Sequence, residues 1–532
     1  MFRFIPRSLQ TRPCRVPPQL TNGVRTGGYR QAHSTTRPFR ASTSDSIKYT
    51  AITTGLLSST GLWWLIKSSA TPEDDSVPSL QPGTKPLPEK HEPGLSPEQV
   101  TAILSKDAYS YLVRTILGVD RYDGAQVASN SPCEDQFVHG QFLSPIKFPS
   151  SHDSSDGNGT GSNWMAWGVF DGHLGPQTAD VLARSLLDSV TRRLRGLQPL
   201  NKESALSNEA IQHAISRGFV DLDEDIFASA LSAAEPSNNE PLATKIRKMQ
   251  PAFAGSCALL TFFDPVTSTL HVACTGDSRA VLAEQSPDGT WTATPLSIDQ
   301  TGSNEAEISR VNAEHPGESS IVQGGRVLGL MVSRAFGDGQ WKWPVKVQQE
   351  LQTRFGGPGL LNPKYKLQTP PYITAEPVVT STKVEPGRAT VLILATDGLW
   401  DMVSSQQASD LMGEWLHGQF TGQKRVSSGS GSGSAGARPV SDEPFDFGHF
   451  AKGVTWKFEK ERTTVQDENA AVHLMRNAFG GSYHEMIAGR LEFEAPHSRR
   501  VRDDMTVQVV FFNTQNLVGS KGTTSDGNGN RK

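Results

Sequence analysis

The sequence predicts an α+β fold in which antiparallel strands and helices form separate layers. Apolar residues recur with helical spacing in five segments, and six other short runs have the composition of strands. Two of those runs, 258–263 and 269–275, are joined through a turn at Asp264-Pro265, and Gly276-Asp277 then leads into a third strand, 279–283. This arrangement is typical of antiparallel hairpins. Clustered strands with helices elsewhere in the chain favour α+β layering over alternating βαβ units.

The first 48 residues predict a mitochondrial transit peptide. They hold eight arginines, Lys48 and one acid, Asp45, so their formal charge is +8 in a chain whose total is −4. An Arg-rich and Ser-rich segment with almost no acid is typical of such presequences, and a disordered basic tail is the alternative. The rest of the chain carries −12, which argues against a nucleic-acid partner because phosphate backbones require basic surfaces.

Residues 49–66 form an uncharged stretch between Lys48 and Lys67 that is just long enough to cross a bilayer as a helix. Trp63 and Trp64 near one end suit a membrane interface. An inner-membrane anchor and a continued presequence both remain open. Residues 67–100 are rich in Pro and acids and predict a disordered linker.

Residues 101–515 predict the folded body of the protein. Flexible insertions are expected near 151–163 and 421–445, where Gly and Ser dominate, and a disordered tail at 516–532. Helical periodicity covers 97–106, 177–194, 208–227, 304–315 and 468–479. Strand-like runs cover 165–170, 258–263, 269–275, 279–283, 391–395 and 505–512. The four cysteines lack metal-ligand spacing, so no disulfide framework or zinc site is expected.

Four aspartates border strands that are apolar enough to be buried. Asp171 follows WGVF, Asp277 follows HVACTG, Asp397 follows VLILAT, and Asp503 precedes MTVQVVFF. A carboxylate at the rim of a core must be paired, hydrogen-bonded or metal-bound, because burying it alone is costly. If these strands lie side by side, the acids converge at one sheet end, where oxygen-only ligands favour Mg²⁺ or Mn²⁺ over zinc. For any single one of them, a turn aspartate is the alternative.

Such a site predicts hydrolysis of phosphate esters. Two neighbouring divalent ions would lower the pKa of a shared water, which would attack phosphorus in line. His173, two residues after Asp171, is placed to protonate the leaving alkoxide as a general acid. Gly172 has no Cβ, so its carbonyl oxygen can approach a metal closely. Asp171 and His173 are therefore the predicted catalytic residues.

Seven ordered motifs between residues 107 and 512 resemble the metal-dependent protein phosphatase 2C family. They are ED at 134–135, VFDGHLG at 169–175, AGSCALL at 254–260, TGDSRAVL at 275–282, SRAFGD at 333–338, ATDGLWDMVS at 395–404 and RDDMTV at 502–507. The resemblance implies two antiparallel β-sheets in a sandwich flanked by helices on both sides. It also implies a dinuclear Mn²⁺ or Mg²⁺ site at one end and a protein serine/threonine phosphatase activity over residues 101–515.

The resemblance also implies metal ligands. Asp171 would bridge the two ions, Gly172 would give its carbonyl oxygen to one of them, and Asp397 and Asp503 would bind the other.

The remaining acids of these motifs would have weaker roles. Glu134 and Asp135 would bind directly or through water, and Asp277 and Asp401 resemble residues of a weaker third-metal site. Where many family members have an arginine for the substrate phosphate, this chain has Asn130, which offers neutral hydrogen bonds. Phosphate affinity should then depend more on the metals or on another basic residue.

Residues 296–318, 326–338 and 340–343 are similar to the mitochondrial pyruvate dehydrogenase phosphatase branch and its fungal members. That similarity implies that the substrate is phosphoserine on the α subunit of the pyruvate dehydrogenase complex. A different mitochondrial phosphoprotein is the alternative substrate, since specificity resides in loops. A pseudophosphatase that only binds its partner is a third interpretation, which the retention of Asp171, Asp397 and Asp503 disfavours.

Overall fold

The structure is a computed structural model that describes residues 94–142, 144, 163–197, 206–361, 365–422 and 458–515. The predictions for residues 1–48, 49–66 and 516–532 lie outside these ranges, as do those for most of the linker and of the two insertions. Within the described ranges, every helix is too short or too polar to span a bilayer.

The described residues form strands and helices that are numbered here in chain order. The strands are β1 (Tyr109–Leu112), β2 (Val119–Val127), β3 (Gln136–Phe142), β4 (Trp164–Phe170), β5 (Gly172–His173), β6 (Gly255–Ser256), β7 (Ala258–Asp264), β8 (Thr269–Thr275), β9 (Arg279–Gln285), β10 (Trp291–Pro295), β11 (Val322–Gln323), β12 (Arg326–Val327), β13 (Phe336–Gly337), β14 (Val378–Lys383), β15 (Thr390–Ala395) and β16 (Met505–Phe512). The helices are α1 (Pro97–Ser105), α2 (Gln177–Arg195), α3 (Asn208–Ala234), α4 (Leu242–Phe253), α5 (Glu305–Glu314), α6 (Gly339–Lys342), α7 (Val345–Phe355), α8 (Asp397–Trp400), α9 (Ser405–Thr421), α10 (Ala470–Phe479) and α11 (His484–Glu492). Two 3₁₀ turns span Lys460–Arg462 and Ser498–Arg500.

Two antiparallel sheets form the centre of the fold. One has six strands in the order β1-β2-β16-β15-β9-β10, and the other has five in the order β14-β8-β7-β4-β3. The six-stranded sheet is covered on both faces, since all six residues of its strand β15 are buried. Val391 and Ile393 belong to one apolar cluster and Leu392 and Leu394 to another, as expected for side chains that alternate between the faces of a strand.

Three apolar clusters correspond to the layers of a sandwich flanked by helices. The inner cluster joins the two sheets, with Trp167 and Val169 from one and Leu392 and Phe512 from the other. A second cluster covers the outer face of the six-stranded sheet with α1, α9, α10 and α11. A third covers the outer face of the five-stranded sheet with α2, α3 and α4. The predicted α+β fold, two antiparallel sheets with helices on both sides, is therefore confirmed.

The segments predicted as helices and strands form helices and strands in the structure, although their first and last residues differ from the predicted ones. The five helical and six strand-like segments correspond to α1, α2, α3, α5 and α10 and to β4, β7, β8, β9, β15 and β16. Helix α1 begins at Pro97, inside the range 67–100 predicted as linker, because Ser96 and Gln99 form a capping box there. Helix α9 extends to Thr421, the first residue of the predicted insertion 421–445.

The hairpin prediction is correct for two strands and wrong for the third. Strands β7 and β8 pair antiparallel, with Asp264 opposite Thr269. Strand β9 does not continue that sheet, because it pairs with β15 and β10 in the six-stranded sheet. The short segment between β8 and β9, which contains Asp277, therefore crosses from one sheet to the other.

Candidate active site

Three of the predicted acids meet at one end of the sandwich, at the seam between the sheets. Asp171 follows β4 and Asp277 follows β8 in the five-stranded sheet, whereas Asp397 follows β15 in the six-stranded sheet. One carboxylate oxygen from each lies within 4.8 Å of the other two. Strands β15 and β16 are neighbours, whereas β4 and β8 belong to the other sheet, so Asp171, Asp277 and Asp397 converge because the two sheets end at the same place.

The electrostatics of this group are those of acids that repel one another. Burial raises the pKa of Asp171 well above its usual range, and the charges of Asp397, Asp135 and Asp277 raise it further. Burial likewise raises the pKa of Asp397, followed by the charges of Asp277, Asp401 and Asp135. The close approach of the two carboxyl groups raises the pKa of Asp171 and lowers that of Asp397.

Asp135 extends the group toward strand β16. Its side chain is buried, and Oδ2 accepts hydrogen bonds from Thr396 Oγ1 at 2.9 Å and Thr506 Oγ1 at 2.7 Å. Its other oxygen, Oδ1, is buried with no hydrogen-bond partner among the described residues. Burial, followed by the charge of Asp504, raises the pKa of Asp135 to about 8.

The donor set at this seam fits a hard divalent cation. The half-buried Asp171 and Asp397, the buried Asp277 and the unsatisfied carboxylate oxygen of Asp135 form an oxygen-only site with excess negative charge. Mg²⁺ and Mn²⁺ prefer such ligands, and binding either ion would remove the repulsion that raises these pKa values.

Asp504, which the sequence analysis did not single out, holds the loop that carries Asn130 and Glu134. Its carboxylate accepts from the backbone N–H groups of Ser129, Asn130 (2.8 Å) and Glu134 (2.9 Å). The Asn130 amide nitrogen donates to Asp504 at 3.0 Å and to the Glu134 carboxylate at 2.9 Å. Burial raises the pKa of Glu134, with a further rise from the charge of Asp504.

Asp503 does not join the group formed by Asp171, Asp277 and Asp397. Its carboxylate forms an ion pair with Arg499 and accepts the backbone N–H of Asp504 at 2.6 Å. The side chains of Asp503 and Arg499 are 32% and 36% exposed, so this pair lies on the open side of the site.

Gly172 lies where the chain has no room for a side chain. It belongs to the short strand β5, which pairs with β6 so that Gly172 is opposite Ser256 and His173 is opposite Gly255. A Cβ on Gly172 would collide with the backbone carbonyl of Glu134. The glycine therefore brings the Glu134 loop and the Asp171 turn into direct backbone contact, a reason for its identity that the sequence analysis did not foresee.

His173 is held by Asp338, a second residue that sequence reasoning missed. Its Nε2 lies 2.7 Å from Asp338 Oδ2, and the Asp338 side chain is completely buried. Burial lowers the pKa of His173, but the charge and hydrogen bond of Asp338 outweigh that effect and raise it overall. A Cβ on Gly255 would collide with both side chains, so this glycine makes room for the pair.

Asp277 and Asp401 lie on the side of the site that faces Arg279. Asp277 Oδ1 lies 3.3 Å from the Cys257 thiol, and burial raises the pKa of Asp277. Asp401 is exposed and one helical turn beyond Asp397, with its backbone N–H donating to the Asp397 carbonyl at 2.8 Å. Arg279 is engaged by Asp299 through both carboxylate oxygens, and its guanidinium lies over the Trp400 ring.

The residues that the sequence analysis missed carried weak signals. Asp338 ends the SRAFGD motif and Asp504 is the second acid of RDDMTV, but each could have been a turn or surface residue. Only the structure shows that both are buried and that one orients His173 while the other closes the loop at 129–134.

An antiparallel sandwich with clustered acids at the seam of its sheets defines the class of a hydrolase built to hold hard cations. A family model described as Protein phosphatase 2C matches residues 144–428, more than half of the chain. A protein phosphatase 2C homolog of Schizosaccharomyces pombe is 39% identical over 406 residues, covering 75% of this chain and 82% of the relative. The chain belongs to the protein phosphatase 2C family, and it is a protein serine/threonine phosphatase of that metal-dependent family.

Two further relatives define the branch. Mitochondrial pyruvate dehydrogenase (acetyl-transferring) phosphatase 1 of Saccharomyces cerevisiae is 33% identical over 453 residues, covering 81% of this chain and 74% of the relative. The Bos taurus protein of the same name is 30% identical over 496 residues, covering 80% of this chain and 84% of the relative. The predicted similarity to the pyruvate dehydrogenase phosphatase branch is confirmed.

Proposed function

We propose that this phosphatase removes phosphate from phosphoserine on the α subunit of the pyruvate dehydrogenase complex in mitochondria. The proposed hydrolysis of the phosphate ester rests on the convergence of the Asp171, Asp277 and Asp397 carboxylates. Support for the substrate and the compartment comes from the names of the budding-yeast and bovine relatives, together with the basic segment at residues 1–48.

We assign the metal-holding residues as follows. Asp171, the Gly172 carbonyl, Asp397 and Asp503 would hold two Mg²⁺ or Mn²⁺ ions. Bound there, the ions would supply an activated water and neutralise phosphoryl oxygens. Glu134 and Asp135 would bind alongside them, and Asp277 with Asp401 would form a weaker third site.

The protein's own groups then bind and protonate the substrate. His173 would donate a proton to the leaving serine oxygen, because Asp338 stabilises the imidazolium form. With Nε2 bonded to Asp338, Nδ1 would deliver that proton. Asn130, whose amide contacts Glu134 and Asp504, would lie beside the substrate phosphate.

The direct test measures phosphate release from the phosphorylated α subunit by the purified full-length protein with Mn²⁺ or Mg²⁺. We expect turnover by the wild type, and a loss of at least about a thousandfold for Asp171→Ala, since several kcal/mol of transition-state stabilisation would be removed. Metal-free Asp171→Ala should unfold at the same temperature as the metal-free wild type or higher, because a repelling charge is gone. A wild type without turnover would support a pseudophosphatase.

A second candidate substrate is another mitochondrial phosphoprotein. The fission-yeast relative, which is 39% identical, has a name that specifies no substrate. Phosphoproteomics of mitochondria lacking this protein separates the two candidates. Unchanged phosphorylation of the pyruvate dehydrogenase α subunit, with another site increased, would replace the proposed target. Protease protection of the tagged protein in mitoplasts would distinguish the matrix from the intermembrane space and test the predicted membrane anchor at 49–66.

A further inference from the structure

Arg499 is a cation at the open side of the active site to which the mechanism above gives no role. It lies on the 3₁₀ turn Ser498–Arg500, just before β16. Its guanidinium pairs with the Asp503 carboxylate, and both side chains are about one-third exposed. An exposed ion pair of this kind contributes little to stability, so holding Asp503 is a weak reason for this arginine to be there.

Two hydrogen bonds fix the turn of Arg499 against the loop that carries Asn130. Ser498 Oγ donates to the Ser129 carbonyl, and Ser129 Oγ donates to the Arg502 carbonyl at 2.9 Å. Arg499 and Asn130 therefore extend from neighbouring stretches of backbone. The charge of Arg499 also lowers the pKa of both Glu134 and Asp135, which places it within electrostatic range of the acids.

A phosphate dianion that approaches this site would meet carboxylates as well as the proposed ions, so a further cation at the entrance would strengthen its binding. The Asn130 amide nitrogen already donates to Glu134 and Asp504. Arg502 is buried and donates to the carbonyls of Ala128 and Arg490.

Arg279, the other arginine near the acids, is held by both oxygens of Asp299. Of these three arginines, Arg499 is the exposed one, and its carboxylate partner, Asp503, is itself about one-third exposed.

We propose that Arg499 binds the phosphate group of the substrate, donating two hydrogen bonds from its planar guanidinium to phosphoryl oxygens. This geometry is the one for which arginine is suited and lysine is not. The inference rests on the proposed metal-assisted phosphatase site, in which Asp503 is a predicted metal ligand. An ion bound to Asp503 would release the guanidinium for the substrate.

The test compares Arg499→Gln and Arg499→Lys with Arg500→Gln, a matched control on the same exposed turn. Binding of inorganic phosphate to the Mn²⁺-loaded full-length protein is measured by calorimetry, and KM and kcat are measured on a phosphoserine peptide. We expect Arg499→Gln to raise the phosphate Kd and the peptide KM by about tenfold or more, which is the effect of losing a charge-assisted hydrogen bond. Arg499→Lys should be intermediate, and Arg500→Gln should match the wild type.

Affinity for Mn²⁺ and the thermal midpoint distinguish phosphate binding from a structural role. Removing a positive charge near Glu134 should leave Mn²⁺ affinity unchanged or increase it, while phosphate affinity falls. A phosphate Kd equal to that of the wild type would overturn the inference. So would a parallel fall in Mn²⁺ affinity, phosphate affinity and thermal midpoint. A wild type that releases no phosphate from the peptide would instead count against the proposed function.

Discussion

The imidazole of His173 depends on a partner 165 positions away in the chain. Asp338 has φ = 57°, a left-handed conformation that is rare outside glycine, and its side chain is fully buried. A buried carboxylate against one ring nitrogen fixes the orientation of the ring and stabilises its charged form. The pair thus has the features of a general acid whose proton is kept available.

His173→Ala should distinguish general-acid catalysis from substrate binding. We expect about a hundredfold loss of kcat on a phosphoserine peptide and only a few-fold loss on p-nitrophenyl phosphate, whose leaving group needs little protonation. Steady-state kinetics with saturating Mn²⁺ on both substrates provide the measurement. His213→Ala, at an exposed histidine of α3, is the matched control. Equal slowing on the two substrates would contradict the role.

Replacing Asp504 by Asn should lower the stability of the fold, whereas the same replacement at the adjacent Asp503 should leave it nearly unchanged. Asp504 is 3% exposed and accepts several hydrogen bonds from the loop at 129–134, whereas Asp503 is 32% exposed with one ion pair. Asp504→Asn places an amide against donors and should cost about 3 kcal/mol of unfolding free energy. Asp503→Asn should change stability by less than about 1 kcal/mol.

Urea unfolding and Mn²⁺ calorimetry on both variants check this contrast. Asp503→Asn should weaken Mn²⁺ binding while the fold stays as stable as the wild type, since a proposed ligand is lost. Similar losses of stability in the two variants would contradict the assignment of Asp504 to the stability of the fold and of Asp503 to metal binding.

At the scale of elements, helix α5 anchors the segment that leads to Asp338. Glu307 on α5 accepts hydrogen bonds from Arg334 (2.7 Å), Arg310 (2.8 Å) and Ser333 (2.7 Å). Burial raises the pKa of Glu307, but these hydrogen bonds and the charge of Arg334 lower it overall to about 2. The network therefore fixes residues 333–334, from which the chain runs through β13 to Asp338.

Glu307→Gln should destabilise the protein by about 3 kcal/mol at neutral pH, because two arginines lose their buried partner. A carboxylate whose pKa is lowered on folding stabilises above its unfolded pKa, and this stabilisation is lost as pH falls. The difference between wild type and variant should thus be full above pH about 4.5 and shrink toward pH 2. Urea midpoints measured from pH 3 to pH 7 test this, and a difference independent of pH would contradict it.

Strand prediction from sequence succeeded where strands are apolar and failed where they bury polar groups. Strand β15 is buried throughout and was evident, as were β4 and β8. Strand β2 was missed because it includes a buried acid, Asp123. The Asp123 carboxylate accepts hydrogen bonds from Arg121 and from the backbone N–H at the N-terminus of α10. The strand also includes Gln126, which donates to Thr506 across the sheet. Ala470 and Thr506 are distant in sequence from β2, so the pattern of β2 alone resembles that of a loop.

At the scale of the whole molecule, the sequence indicated which acids matter but not how they meet. The convergence of Asp171, Asp277 and Asp397 requires β9 to leave the sheet of β8 and pair with β15. Nothing in the spacing between Thr275 and Arg279 distinguishes that crossover from a hairpin. The sequence also did not predict that Asp503 lies apart from these three acids, because its carboxylate pairs with Arg499 and that contact appears only in the structure.

Helix α1, the first helix of the described residues, packs against the six-stranded sheet, so its start bounds the shortest chain that should remain stable. Val100 and Leu104 of α1 are fully buried beneath the six-stranded sheet, and Thr101 accepts a hydrogen bond from Arg476 at 2.8 Å. A chain that starts at residue 94 should unfold at the same urea concentration as the full-length protein. A chain that starts at residue 107 should lose about 3–6 kcal/mol, the value of two buried aliphatic side chains.

Urea denaturation of the three lengths, followed by tryptophan fluorescence, provides the measurement. Phosphatase activity measured in parallel shows whether the start at residue 94 also preserves the site. Equal stability for the start at 107 would show that α1 is dispensable.

The hairpin of β3 and β4 has a practical consequence. Gln136 pairs with Phe170 at the end beside Asp135 and Asp171, and Phe142 pairs with Trp164 at the other end. Seven residues at about 3.4 Å each place Phe142 and Trp164, the two ends of the link, about 20 Å from those acids. We therefore expect an epitope tag or fluorophore inserted between these two ends to leave kcat and KM on a phosphoserine peptide unchanged.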